Sequence, residues 1–350
     1  MREDGASPPG RALLRAEAQR IRRVFEEAGA EPFETDVLQP AGPLLDLYGE
    51  DIRARAFTTL DPLDGERMLR PDFTVAVARA HLSRPGQEGR YAYAGEVFRR
   101  QETPGRPTEY LQAGIEIFHE GASAERDAEV LSLVLRAAGG APLETVTGDI
   151  GLLTAAVRSL RASGRRRAAL LRHVWRPGRF RALLERFGRP ASRTVPEAAA
   201  IAGAGPEIGE RAAAEVAARL ASMREDAAEA PVPREQIDAV AGLLSRRGPC
   251  AEVPEGLRSA AGALPALAPA LDAFARRLDA LAARGVEPGA LPFEASLGHA
   301  TMEYYDGFVF ACTLRGRPVA SGGRYDALTR RLGRAVPAVG AILRPAELVS

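Results

Sequence analysis

Tyr91-Ala-Tyr-Ala-Gly-Glu-Val-Phe-Arg-Arg100 and, beyond a polar loop from Gln101 to Thr108, Glu109-Tyr-Leu-Gln-Ala-Gly-Ile-Glu-Ile-Phe118 decide the fold of this chain. Both runs are rich in the aromatic and β-branched residues that suit a pleated surface, and together they read as two neighbouring strands. Side chains alternate across a strand, so Tyr110, Gln112, Gly114, Glu116 and Phe118 share one face. Leu111, Ala113, Ile115 and Ile117 share the other, which is expected to be core. The polar face has two readings. Half-buried antiparallel strands usually present such a face to solvent; alternatively its amide, its carboxylate and the gap at Gly114 form a place for a ligand. On the preceding strand Arg99 lies on the face of Val97.

Outward from this pair, residues 11–29 predict a helix with Leu14, Ile21, Val24, Phe25 and Ala28 on its apolar side and Gly29 at its stop. Phe33 to Leu38 reads as extended, with turns at Pro40 and Pro43. Leu69-Arg-Pro-Asp72-Phe-Thr74 leads into a second helix, Val75 to Leu82, for which Asp72 or Thr74 is a candidate cap. A helix from Ala124 to Ala138, capped by Ser123, precedes a strand from Leu143 to Asp149. From about Leu152 to Ala283 alanine, leucine and arginine dominate and strand signals vanish. Strand character returns at Pro292–Leu297 and Tyr304–Leu314, and Arg315-Gly-Arg317 turns the chain into Val319–Ser321 as a hairpin. The expected class is α+β: an antiparallel sheet flanked by helices in residues 1–151, a helical insertion in 152–283, and completion of the sheet in 284–350.

Composition removes several functions. The chain has 350 residues, 46% of them apolar, enough for a full core. Its 47 basic and 46 acidic residues give no overall pull toward nucleic acid or anionic membrane. Every basic residue is arginine; the missing lysines argue against a P-loop, a protein kinase and a pyridoxal enzyme. Cys250 and Cys312 cannot build a disulfide framework, and His81, His119, His173 and His299 lack metal-ligand spacing, so no metal and no cofactor is expected. There is no apolar leader and no run of about 18 apolar residues, which suggests a cytoplasmic protein. Gly203-Ala-Gly205-Pro-Glu-Ile-Gly209 has the wrong spacing for a dinucleotide loop. Residues 158–193 hold twelve arginines and one glutamate, Glu185. They read as a solvated helical face, or as a docking surface for an acidic partner or nucleic acid.

Five segments, taken in order, carry a resemblance. Tyr93-Ala-Gly-Glu-Val-Phe-Arg99-Arg-Gln-Glu resembles the motif 2 strand of class II aminoacyl-tRNA synthetases. Thr108-Glu-Tyr-Leu-Gln112-Ala-Gly-Ile-Glu116 resembles its returning strand in histidyl-tRNA synthetase. Leu69-Arg-Pro-Asp72-Phe-Thr74 resembles the Leu-Arg-Pro-Glu-Gly-Thr substrate loop of that enzyme, and Met302-Glu-Tyr304-Tyr305 its Leu-Asp-Tyr-Tyr motif. Gly322-Gly323-Arg324-Tyr325-Asp326 matches its Gly-Gly-Arg-Tyr-Asp segment.

The resemblance implies an antiparallel sheet of about six or seven strands flanked by helices, dimeric through a motif 1 region around Leu13 to Tyr48. It implies a histidine pocket of Asp72, Thr74, Arg99, Gln112, Glu116, Tyr304 and Tyr305, with Gly322, Gly323 and Arg324 as its floor. The chemistry suits histidine, whose amine and imidazole donate to the carboxylates and amide, and whose carboxylate pairs with an arginine. The departures also speak. Ala300 stands where the synthetase has a phosphate-holding arginine, Glu347 stands at the motif 3 arginine, and Gln101 and Thr108 replace a motif 2 glutamate and arginine. Loss of one such electrostatic stabiliser costs about 10²–10³ in rate. No anticodon-binding domain is expected after residue 350.

These features resemble the regulatory subunits of ATP phosphoribosyltransferase, paralogues of histidyl-tRNA synthetase. The resemblance implies a non-catalytic chain that joins a short catalytic subunit, as a hetero-octamer around a homodimer core, with L-histidine as a ligand. The contrasting reading is an ATP-dependent, amino-acid-activating enzyme, supported by Arg99 and Arg106. An RNA-binding relic that uses the arginine-rich insertion is a third reading.

Overall fold

The two runs that opened the reading pair as expected. In the computed structural model, which describes residues 10–42, 54–101, 106–121, 123–190, 212–297 and 304–349, Gly89–Phe98 and Glu109–Phe118 form an antiparallel ladder that sets Tyr93 opposite Gly114 and Tyr91 opposite Glu116. In chain order the strands are β1 (Glu31–Pro32), β2 (Leu38–Pro40), β3 (Thr58–Asp61), β4 (Gly65–Leu69), β5 (Gly89–Phe98), β6 (Glu109–Phe118), β7 (Glu144–Asp149), β8 (Arg247–Pro249), β9 (Pro292–Glu294), β10 (Phe308–Leu314), β11 (Arg317–Arg324) and β12 (Ala338–Leu343).

The main sheet is larger than expected. It has nine strands in the order β1-β5-β6-β12-β11-β10-β7-β9-β8, and β2-β4-β3 forms a separate small sheet. Its six central strands are all antiparallel, whereas β1 joins β5 and β9 joins β7 in parallel. β8 corrects the reading that strand signals vanish through the insertion: three residues with one glycine and one proline carry too little pattern to register. The Arg315–Gly316 loop takes φ of 52° and 71°, the positive values a two-residue hairpin turn needs.

One face of β6 meets the helix Arg11–Glu27, beside which the helix Ser123–Ala137 packs on β12 and β11, and Ala113, Ile115 and Ile117 are buried as expected. The segment 152–283, expected as a helical insertion, is joined to this layer. Its helix Leu267–Ala282 repeats Leu267, Leu271, Phe274 and Leu281 along one side, packs against Ser123–Ala137, and shares one continuous apolar cluster with the sheet. The same side carries Arg277, buried among ion pairs to Asp127 (3.4 Å) and Asp149 (2.6 Å). In the arginine-rich stretch, Arg165, Arg166 and Arg186 all pair with Asp226 on the helix Ala213–Ala228. Among the described residues no helix is long and apolar enough to cross a membrane.

Candidate functional site

The polar face of β6 is not a solvated face. From Gln112 to Phe118 both faces of the strand are buried, and Glu116 is 1% exposed. Its carboxylate is held by three hydroxyls: Thr74 Oγ1 donates to Oε1 at 2.7 Å, Tyr93 Oη to Oε1 at 3.1 Å, and Tyr325 Oη to Oε2 at 2.6 Å. Burial dominates those donors and raises the Glu116 pKa to about 7, with Asp72 pushing the same way.

Sequence reasoning placed two of these groups differently. The helix Thr74–Leu82 begins without a side-chain cap, because the Thr74 hydroxyl serves Glu116 instead. The gap at Gly114 holds no space for a ligand. A Cβ at Gly114 would strike the Tyr93 phenol, whose ring fills that gap and stacks on Phe73 at 4.4 Å. Across the β6–β12 ladder Gly340 faces Glu116, and any side chain there would run into the carboxylate. Tyr93, Tyr325 and Gly340 are the members that sequence reading missed. The Tyr93–Gly114 pairing was available from the strand register, and Tyr325 stood unweighted within the Gly-Gly-Arg-Tyr-Asp segment.

Around Glu116 the other expected residues gather. Asp72, Gln112, Arg99, Tyr304 and Tyr305 are all buried. The field of Asp72 reaches Glu116, Arg99, Tyr93 and Tyr305. Burial opposes the Arg99 charge, yet Tyr110, Asp72 and Tyr304 more than offset it and raise its pKa; Arg99 Nε donates to Tyr110 Oη at 2.8 Å. Tyr304 and Tyr305 pack at 4.9 Å between centroids, just before β10 rather than within it. Gln112 Oε1 is buried with no hydrogen-bond partner among the described residues, an acceptor that calls for a donor. Trp175, the one tryptophan of the chain, reaches over from the insertion and donates Nε1 to the Tyr305 carbonyl at 3.2 Å.

Next to this cluster lies a cavity of about 220 Å³, lined by Arg55, Arg99, Arg106, Arg344, Tyr305 and Gly322 among others. Gly323 packs closely against Tyr305. Arg324 does not line the cavity: it turns to the helix side, where it meets Asp127 at 2.6 Å, Asp326 at 3.2 Å and the Ser123 carbonyl at 3.0 Å. Its place on β11 one residue beyond Gly323 puts it on the opposite face from that glycine. Glu347 pairs with Arg317 at 2.8 Å and with Arg106 at 3.8 Å. Ala300, His299, the Gly203–Gly209 segment and residues 43–48 of the motif 1 region lie outside the described residues.

This arrangement offers buried acceptors, two carboxylates and an arginine over aromatic walls, which suits a small zwitterion with further N–H donors. The sequence profile of the histidyl-tRNA synthetase family matches residues 5–348. An ATP phosphoribosyltransferase regulatory subunit of Allorhizobium ampelinum is 33% identical over 90% of this chain and 92% of its own length. That of Brucella canis is 34% identical over 89% of this chain and 90% of its own. A solved ATP phosphoribosyltransferase regulatory subunit/histidyl-tRNA synthetase from Bacillus halodurans superposes with a TM-score of 0.70 at 22% identity, covering 100% of this chain and 82% of that one. A histidyl-tRNA synthetase from a Nostoc species gives 0.62 at 19% identity, over 99% and 75% of the two chains, so the fold is that of the class II synthetases. The chain belongs to the histidyl-tRNA synthetase-like family of ATP phosphoribosyltransferase regulatory subunits.

Proposed function

We propose that this chain binds L-histidine in the buried cluster around Glu116 and passes that signal to a short catalytic phosphoribosyltransferase subunit, which it also activates. The partner would join ATP to phosphoribosyl pyrophosphate with loss of pyrophosphate, the first step of histidine biosynthesis. The observation that carries the reading is the buried amide oxygen of Gln112, left without a donor on the strand face that holds Glu116. Histidine would supply an N–H donor for Gln112, further N–H groups toward Asp72 and Glu116, and a carboxylate for Arg99. In this reading residues 1–151 and 284–350 hold the site and 152–283 is a body docked on it. The exposed Leu13, Val37, Leu38, Leu60 and Leu63 on the first helix and small sheet are the surface offered to a second copy. The hetero-octamer is the assembly expected from the resemblance.

Inhibition requires histidine to bind the inhibited assembly better than the active one. The test mixes the chain with a short-form catalytic subunit and follows phosphoribosyl-ATP formation with and without histidine. Stimulation by the chain, reversed by histidine, is expected; no stimulation and no co-elution would defeat the proposal. Robust histidine-dependent pyrophosphate exchange by the purified chain would favour an amino-acid-activating enzyme instead.

A further inference from the structure

The helices Gly164–Arg172, Pro177–Phe187 and Ala213–Ala228 of the insertion border a groove of about 830 Å³. Its charge does not balance. Arg165, Arg166, Arg186, Arg189 and Arg219 line it, against two carboxylates, Glu185 and Asp226. Both carboxylates are already shared. Asp226 meets Arg165 at 3.3 Å, Arg166 at 2.8 Å and Arg186 at 3.6 Å. Glu185 meets Arg189 at 3.5 Å and Arg234 at 3.9 Å. Arg166 is buried and also takes Glu229 at 3.1 Å, so it belongs to the packing. Arg186 and Arg189 are different: their side chains are 63% and 74% exposed, which leaves donors open to a second partner. Arg219 makes no ion pair among the described residues. The groove is also partly apolar, with Ala169, Ala182, Met223 and Ala227 in its lining, and Met223 is 48% exposed. None of the 16 residues of the helix Ala213–Ala228 is buried. A helix of that length is marginal by itself and ordinarily buries an apolar face; here ion pairs through Asp226 tie it to its neighbours.

We propose that this groove docks an acidic, amphipathic helical segment of a protein partner. Apolar side chains of that segment seat against Met223 and the alanines, and its carboxylates reach Arg186, Arg189 and Arg219. Nucleic acid is the other polyanion an arginine groove attracts, and the lining disfavours it. Phe187 is 2% exposed, and the guanidinium groups of Arg166 and Arg186 lie 5.0 and 4.8 Å from its ring centre, so this aromatic face is taken and no base can stack there. Glu185 and Asp226 also repel a backbone that carries a charge at every nucleotide. A protein segment can space its carboxylates around them and place apolar groups between. The docking site stands apart from the Glu116 cluster and depends neither on the ligand proposed there nor on the catalytic partner.

The test follows binding to the full chain by fluorescence anisotropy. The probe is a labelled helical peptide with leucines on one face and glutamates about four residues apart on the other. A version with glutamine for glutamate, a version with serine for leucine and a labelled RNA hairpin are the comparisons. The acidic peptide should bind the native chain at least about ten-fold more tightly than either altered peptide, the worth of one charge-assisted contact. Arg186→Gln combined with Arg219→Gln should lose about ten-fold or more in affinity for the acidic peptide, and Met223→Ser should weaken it separately. Both arginines are exposed, so the melting temperature of the double variant should stay near that of the native chain. No binding of the acidic peptide, equal binding of its glutamine version, or undiminished binding by the double variant overturns the proposal. Tighter, steeply salt-dependent binding of the RNA overturns it in favour of nucleic acid.

Discussion

Glu116 should make the stability of this protein fall as pH rises from about 4.5 to 7, the reverse of the usual behaviour of a salt-bridged carboxylate. Its carboxyl has an ordinary value of 4.5 and is raised to about 7 in the fold, first by burial. Between those values the unfolded chain has released the proton and the native chain still holds it. The unfolded state then binds fewer protons, so the free energy of unfolding declines with pH, and it levels off once both states are ionised above about 7. At about 1.4 kcal/mol per pKa unit the total is about 3 kcal/mol. Glu116→Gln removes the titration while keeping the size and one acceptor for the Thr74, Tyr93 and Tyr325 hydroxyls. Asp306 also titrates high, at about 6, because it is buried beside Asp326, so the informative quantity is the difference between native chain and variant. Urea unfolding of both, followed through Trp175 between pH 4.5 and 7.5, should show the native chain losing about 3 kcal/mol relative to the variant. Parallel curves would refute the argument that burial, rather than the three donors, governs this carboxylate.

Three further outcomes test the packing of the site and its support. Gln112→Leu deletes a buried oxygen without a partner, so the melting temperature should hold or rise while histidine affinity, read by calorimetry, drops about ten-fold or more; a loss of stability with unchanged affinity would place the ligand elsewhere. Arg277→Met strands Asp127 and Asp149 without their shared cation and should cost about 3–5 kcal/mol in denaturant unfolding; a neutral result would mean that Arg324 alone suffices. Gly340→Ala drives a methyl group into the Glu116 carboxylate and should destabilise by about 1–3 kcal/mol and weaken histidine binding; an unchanged protein would contradict the seat of Glu116 over that glycine.

Much of this was legible because the informative elements are long and regular. β6 was bounded correctly from alternation alone, and its aliphatic face is buried as periodicity demands. Its polar face was ambiguous for a physical reason: alternation tells which residues share a side, not what covers it. Thr74 and Tyr325, which cover it, come from 42 and 209 residues away in sequence. Gly114 misled because a glycine in a strand marks close approach without naming the group that approaches, here a cross-strand tyrosine. Arg324 misled because the adjacent glycines suggested a single floor, whereas consecutive strand residues face opposite ways. β12 and the β3–β4 hairpin escaped notice: the first lacks polar alternation because all six of its residues are buried, and the second is short and mostly exposed.

The two faces of β11 give the insertion two separate grips on the site. On one side Gly323 backs Tyr305, and Trp175 of the insertion donates to the Tyr305 carbonyl. On the other Arg324 binds Asp127, whose second oxygen meets Arg277 of the insertion, and Arg277 continues to Asp149 at the start of the helix Ile150–Ser159. The segment between the tyrosines and β10 is also pinned to β11, since Asp306 N donates to the Arg324 carbonyl at 3.0 Å and Asp326 N donates to Asp306 Oδ1 at 2.9 Å. A ligand shifts an equilibrium only where its contacts differ between states. Any ligand that moves Tyr305 must therefore carry or break the Trp175 hydrogen bond, and any tilt of the insertion helix must strain a buried ion pair whose partners have no water to fall back on. The flexible alternative, a single contact between pocket and insertion, would let either part move alone. Two grips on opposite faces of one strand tie the tyrosine pair and the helix Leu267–Ala282 to each other through β11.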